Sequence, residues 1–460
     1  MAGVGGSAGP QAKFVEGNLF RHITVMTLTA SAGLMGIFAV DLMNMVFISW
    51  LQDPEVTAAV GYAGAILFFT TAFGIGLSIA VSALVARAVG MRDLALARQK
   101  ATHGLILGIA IGVVFSALVW LFLPQIVALL GARGRTADWA VHFLAIVTPA
   151  QPLLMIGMIG GAILRSHGDA RRAMVATIAG ALVNAAIDPV LIFTLDLGLT
   201  GAAIASVISR LVIAAMALIP IITHYGGFDR PSWAGVRADM GAVFGIAGPA
   251  ILTQLATPLG QAIVTRMVAG FGEAAVAGMA ISGRLTPVAL GVIFALPGAV
   301  GPIIGQNYGA GRMDRVRRAF WDAILFAAIV VGISAAILFV LRAPIADLFH
   351  AEGLTRDLLY LFCGPLCLLF FFNGAIFVAN AACNNLGAPL MSTLINWGRH
   401  TLGTVPFALW LGGYAGAEGV LMGQALGGVV FGLLAVWVAL RAMERAAAVA
   451  PSAGARAVRG

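Results

Sequence analysis

Runs of apolar residues long enough to cross a lipid bilayer recur along almost the whole of this 460-residue chain. A helix of ~20 apolar residues spans the hydrocarbon core of a bilayer. Only 10% of the residues are charged and the mean hydropathy is +0.99, whereas soluble domains carry about 25% charged residues. The sequence therefore predicts an all-α polytopic membrane protein without a soluble domain.

Twelve apolar runs can be separated, and the connections between them are short. The longest polar connection lies near the midpoint of the chain, at residues 224–239. We therefore predict twelve transmembrane helices. The predicted spans are residues 23–50, 59–85, 101–130, 138–164, 173–195, 199–222, 240–268, 275–303, 319–341, 357–382, 390–412 and 417–441.

The positions of the basic residues predict how these helices are oriented. Lys and Arg are concentrated before span 1 and after spans 2, 4, 6, 8 and 12, as in the segment 312–318. Cytoplasmic loops of membrane proteins are enriched in these residues, so we expect both termini to be cytoplasmic. This distribution explains the net charge of +8 without a nucleic-acid partner. We expect a monomer surrounded by membrane lipids.

The two halves of the chain resemble each other. ARAVGMRDLALAR (86–98) follows span 2 and GQNYGAGRMDRVRR (305–318) follows span 8; RSHGDARRAM (165–174) follows span 4 and CNNLGAPLMS (383–392) follows span 10. We predict two pseudo-symmetric six-helix bundles, a 6+6 parallel repeat, which in transporters places the substrate site between the halves. The predicted parts are a cytoplasmic N-terminal tail (1–22), an N-terminal six-helix bundle (23–223), a cytoplasmic linker (224–239), a C-terminal six-helix bundle (240–445) and a cytoplasmic C-terminal tail (446–460).

Two carboxylates lie inside predicted spans of the first half. Asp41 is the only charged residue between positions 31 and 51, and it shares a helix face with Asn44. Asp188 shares a face of span 5 with Asn184. A charged side chain inside a bilayer is costly and usually functional. These residues therefore predict a site that binds H⁺ or a cation.

A proline on span 5 adds another ligand to this site. Pro189 cannot donate a backbone hydrogen bond, so it leaves the carbonyl oxygen of Ala185 free near Asn184 and Asp188. Such an oxygen cluster suits either a shared proton or Na⁺, and residues alone leave both open. We predict no structural metal, because Cys363, Cys367 and Cys383 have no His or acid nearby.

Other polar or flexible side chains are candidates for a substrate cavity. Gln254 and Gln261 share a face of span 7, Arg284 lies inside span 8, and methionines such as Met35 adapt to varied ligands. Asn44 on span 1 is the fifth candidate for this cavity. The spans contain no motif of an intramembrane enzyme, so we expect a transporter with no cofactor and no catalytic residues.

Several motifs together resemble the multidrug and toxic compound extrusion (MATE) transporters. They are the GQNYGAG loop, LRSHGDARRA after span 4, NAAIDPVLIF in span 5 and GLTGAAIAS at the start of span 6. The resemblance covers about residues 17–445. It implies two bundles around a V-shaped cavity, and export of organic, often cationic, compounds in exchange for H⁺ or Na⁺.

The acids in the first half resemble the DinF branch of that family. Its pattern implies ion coupling through Asp41, Asn184 and Asp188, with Ser206 where a small hydroxyl residue is common on span 6. The sequence departs from the pattern because span 1 lacks the usual proline, and Gly161 stands where relatives often have asparagine.

The resemblance implies residence in the cytoplasmic membrane of a bacterium or archaeon. An alternative within the wider superfamily is a flippase for a lipid-linked substrate. A flippase would be expected to place several basic side chains in the central cavity, and only Arg284 and Arg266 are candidates.

Overall fold

The computed structural model describes residues 12–449, and the predicted tail residues 1–11 and 450–460 lie outside this range. Ten helices in residues 12–449 are long and apolar enough to cross a membrane, and one further span is a helix pair bent by 40°. The first ten spans are α1 (Leu19–Ser49), α2 (Pro54–Gly90), α3 (Leu94–Leu121), α4 (Gly134–Ser166), α5 (Ala170–Thr194), α6 (Gly198–His224), α7 (Trp233–Ala269), α8 (Glu273–Gly309), α9 (Met313–Leu348) and α10 (Gly353–Leu369 with Phe371–Asn385).

The last helical stretch, Pro389–Val449, has 61 residues and is too long for one span. Ala415 and Gly416 leave the helical conformation, and Gly416 has a positive φ of 60° that glycine adopts readily. The chain therefore divides into α11 (389–414) and α12 (417–449). Twelve spans result within the described residues, and the predicted all-helical 6+6 fold is confirmed.

Helix starts are fixed by polar caps that satisfy backbone N–H groups where the chain enters the apolar region. Asp53 caps α2, Asp93 caps α3 and Asp169 caps α5, each through a side-chain oxygen. α1 begins at Leu19 and α7 at Trp233. Helical structure thus extends into residues 1–22, which were predicted to be a tail, and into residues 224–239, which were predicted to be a linker.

The two halves meet in a reciprocal contact between α2 and α8. A Cβ atom added to Gly90 would lie 2.0 Å from the carbonyl oxygen of Gln306, and one added to Gly309 would lie 2.0 Å from that of Arg87. Gly90 and Gly309 occupy matching positions in the repeated segments 86–98 and 305–318. The backbones of α2 and α8 can approach this closely only because both residues lack a side chain.

We call the end of the molecule at this contact the closed end. Residues 12–18 also lie there: the buried Phe14 donates its backbone N–H to Gln306 Oε1 at 3.0 Å. Gln306 in turn donates to the carbonyl oxygen of Ser166 at 2.7 Å. Two of the apolar clusters combine residues of both halves, so the bundles are packed on each other in this region.

At the opposite, open end the halves are packed separately. One cluster there contains only residues of the first half, including Ile48, Phe143 and Ile192. Another contains only residues of the second half, including Val268 and Leu421. The structure thus joins the bundles at the closed end and divides their packing at the open end, as in a V.

A charged contact crosses between the halves at the closed end. Asp239 at the start of α7 accepts from Lys100 Nζ at 2.5 Å and lies 2.7 Å from His103 Nδ1, both on α3. His103 is almost completely buried and Lys100 is mostly buried. Removing one member of a buried pair leaves the other uncompensated, so loss of Asp239 alone should destabilise the closed end.

We expect Asp239→Asn to raise the fraction of molecules open at this end by about tenfold, the factor that corresponds to ~1.4 kcal/mol. The measurement is the rate at which a hydrophilic maleimide labels a Ser166→Cys reporter in an otherwise cysteine-free chain. Asp229→Asn, at an exposed acid of the same connection, is the matched control. An unchanged labelling rate in Asp239→Asn would show that the charged contact does not hold this end closed.

Candidate ion-coupling site

The fifth helix brings two polar side chains into the interior of the first bundle. Asn184 and Asp188 lie one turn apart on α5 and are 4% and 1% exposed, respectively. Pro189 follows directly, and the helix continues as a π-helical turn at Val190–Thr194. Such turns are frequent at functional sites. Close packing of α5 on α1 and α6 keeps these groups away from lipid.

A hydrogen-bonded row connects α5 to α1. The Asn184 amide nitrogen donates to Asp188 Oδ2 at 2.6 Å and to Asn44 Oδ1 at 3.1 Å. The other carboxyl oxygen, Asp188 Oδ1, is buried and has no hydrogen-bond partner within residues 12–449. A buried carboxyl oxygen without a partner is costly, and a bound proton or cation would remove that cost.

The orientation of the Asn184 amide bears on which ion fits. Its NH₂ group donates to both Asp188 and Asn44. Because Na⁺ is bound by oxygen atoms, the Asn184 amide would have to rotate to present its oxygen to that ion. A proton on Asp188 Oδ1 needs no such rearrangement. Asp188 Oδ1 is therefore the oxygen of this row that is left free for a proton or a cation.

The other two residues expected to couple ions lie outside this row. Asp41 is exposed on α1 and forms no side-chain hydrogen bond within the described part of the chain. Ser206 on α6 is half-buried and also has no such bond to the row. The structure thus brings together Asn44, Asn184 and Asp188, and it leaves the link to Asp41 a prediction.

The candidate cavity residues are dispersed. The methyl group of Met35 packs on Gly291 of α8, where a Cβ would lie 1.8 Å from it. Gln261 accepts from Gln424 of α12 at 3.2 Å. Gln254 is half-buried and Arg284 is exposed. Met35 and Gln261 therefore have packing partners, and Gln254 and Arg284 remain candidates for substrate contact.

A buried basic pair in the second bundle was not predicted from the sequence. Arg399 and His400 on α11 are 8% and 6% exposed, and α11 is the fifth helix of its half, as α5 is of the first. They lie in the π-helical turn Arg399–Gly403. An arginine near the middle of span 11 was the signal in the sequence. Within residues 12–449, no group of three metal-binding side chains was found.

Two six-helix bundles that join at one end, with ionisable groups buried inside each, define a membrane transporter of the parallel-repeat class. The MatE family model matches residues 30–190 and 249–410. The chain belongs to this family, the MATE transporters.

Two curated relatives carry different substrate names. A protein of Shewanella oneidensis named "FAD transporter" is 30% identical over 439 residues, which cover 92% of this chain and 95% of the relative. The "Multidrug export protein MepA" of Staphylococcus aureus is 26% identical over 313 residues, 66% of this chain and 69% of the relative.

Solved structures show the same fold. The outward-facing structure of a multidrug resistance MATE family transporter aligns with a TM-score of 0.87 at 23% identity, over 95% of this chain and 98% of that one. The Vibrio cholerae MATE transporter VcmN aligns with a TM-score of 0.87 at 24% identity, over 93% and 97%.

Proposed function

We propose that this protein exports small organic molecules by alternating access and is driven by H⁺ entering through the first bundle. The observation that carries the proposal is the buried Asp188, whose Oδ1 has no partner among the described residues. A carboxyl group in an apolar interior changes charge when it binds a proton, and that change alters the cost of burying it. Two conformations that expose Asp188 differently would then differ in proton affinity.

The organic substrate is supported by the relatives. One of them is named for multidrug export and the other for FAD transport, so both names refer to organic solutes. Cationic substrates are proposed because the family resemblance in the sequence implies them. Na⁺ coupling at Asp41, Asn184 and Asp188 is the alternative to H⁺.

The orientation in the membrane is part of the proposal. With both termini cytoplasmic, the closed end faces the cytoplasm and the open end faces outward. The protein would work in the cytoplasmic membrane as a monomer among lipids. It would need no bound cofactor and would perform no catalytic step, because the ion gradient supplies the driving force.

Efflux from liposomes tests the coupling ion. We expect purified protein to move a fluorescent organic cation such as ethidium under an imposed pH gradient, and not under a Na⁺ gradient alone. Asp41→Asn should reduce efflux severalfold or more, because an amide at this position cannot bind or release a proton. The measurement is the initial rate at which fluorescence changes.

Asp229→Asn is the control, because it removes an exposed acid outside the bundles. Full activity in Asp41→Asn would remove Asp41 from the coupling path. Transport under Na⁺ alone would replace H⁺ by Na⁺. An absence of transport under either gradient would contradict the proposed export of organic cations.

A further inference from the structure

The second bundle contains an arginine without a counter-charge. Arg399 donates from Nη1 to Asn373 Oδ1 on α10 and from Nη2 to His400 Nε2 at 2.7 Å. Both acceptors are neutral, and among residues 12–449 no carboxylate oxygen lies within 4.0 Å of the guanidinium. A buried charge normally has a partner of opposite sign because desolvation is costly. This charge is compensated by dipoles alone.

The neighbouring histidine adds a second unused donor. Because Nε2 accepts from Arg399, which cannot lose its proton, the ring of neutral His400 carries its hydrogen on Nδ1. Nδ1 is buried and has no acceptor within the described chain. The ring lies against Gly260 of α7, where an added Cβ would come within 2.0 Å of Nδ1. The absence of a side chain at position 260 makes room for the ring.

The hydrogen bonds between α10 and α11 also leave donors unused. Asn373 and Asn380 lie two turns apart on α10, and each uses its side-chain oxygen to accept from α11, from Arg399 and from Asn396 respectively. Their NH₂ groups are thereby left as the available polar groups, and both side chains are half-buried rather than sealed. The unused groups near Arg399 are thus N–H donors.

A buried cation surrounded by unused N–H donors is complementary to an anion. We propose that Arg399 and Asn373, with His400 orienting the guanidinium, form a recognition site for the phosphate or carboxylate group of an organic anion that the protein carries. The site rests on the proposed function, because it assumes that organic solutes enter between the bundles. The first bundle would then bind the coupling ion, and the second would recognise a negatively charged substrate group.

A pair of flavins that differ by one phosphate tests the site. We expect detergent-purified native protein to bind riboflavin 5′-phosphate about tenfold or more tightly than riboflavin, because a hydrogen bond to a charged group contributes ~1.5–3 kcal/mol. Arg399→Gln should bind both flavins equally, at the riboflavin affinity of the native protein. Arg399→Lys keeps the charge but loses the planar fork, so it should retain only part of the preference.

Two further variants make the test specific. Asn373→Asp is nearly isosteric and gives Arg399 an internal counter-charge, so it should also lose the preference, whether or not Arg399→Gln folds. Arg342→Gln removes a half-buried arginine that lies over the rings of Phe339 and Tyr360, and it should keep the preference.

Equal affinity of the native protein for both flavins would overturn the proposal. So would a phosphate preference that persists in Asn373→Asp or in a folded Arg399→Gln. Flavin binding is measured without any ion gradient, so failure of H⁺-driven efflux would not change the binding result. Failure of the flavin preference would likewise leave H⁺-driven efflux untouched.

Discussion

An Asp188→Asn variant is expected to lose H⁺-driven efflux down to the leak rate of protein-free liposomes. Asparagine has nearly the same shape and can still hydrogen-bond to Asn184, but it cannot bind or release a proton. Because Asp188 is only 1% exposed, substrate should not contact it directly, and binding of substrate in detergent should change less than twofold. The measurement pairs efflux under a pH gradient with equilibrium binding of the same fluorescent cation.

The control for this experiment is Asp196→Asn. Asp196 is an exposed acid just beyond the π-helical turn of α5, so it lies on the same segment but outside the bundle interior. Efflux close to the native rate in Asp188→Asn would contradict the role of this carboxyl group. Loss of substrate binding together with efflux would indicate that Asp188 supports the bundle rather than the coupling step.

Replacing Gly90 by leucine should shift the protein strongly away from the conformation in which the closed end is shut. The backbone of Gln306 occupies the space that the new side chain needs, and a Cβ alone would come within 2.0 Å of its carbonyl oxygen. Backbone cannot move aside as a flexible side chain can, so α2 and α8 would have to separate. We expect maleimide labelling of the Ser166→Cys reporter to become at least about tenfold faster, which corresponds to ~1.4 kcal/mol.

Gly64→Leu provides the matched control on the same helix. A Cβ at Gly64 would meet no atom within 4 Å, so this variant should label at the native rate. Equal labelling in Gly90→Leu and the native protein would show that α2 and α8 are not in contact in the dominant state. A Gly309→Leu variant should behave as Gly90→Leu does, because the contact is reciprocal.

Much of the fold could be predicted from the sequence, because hydropathy and charge act locally. Each apolar run is long enough to identify a span by itself, and the repeated segments 86–98 and 305–318 identified the two halves. The join between α11 and α12 was also predicted, although the structure continues the helix through it except at Ala415 and Gly416.

The site was only partly predictable, because a site depends on how helices rotate against each other. Helical spacing put Asn184 on the same face of α5 as Asp188, and Asp41 of α1 was expected to complete the site. The structure selects Asn44. The pair Arg399–His400 was missed because adjacent residues point in different directions on a helix, and only a π-helical turn and Asn373 bring their polar groups together.

The reciprocal contact of Gly90 and Gly309 has a mechanical consequence. Side chains that interlock across an interface must be pulled out of each other before the interface can open, which adds friction to the motion. Here the closest approach is between two bare backbones, and the side chain of Arg87 lies over the ring of Tyr308 beside them. The point of closest approach therefore needs no side chain to be withdrawn when the bundles tilt apart, and the polar contacts around it are the ones that must break.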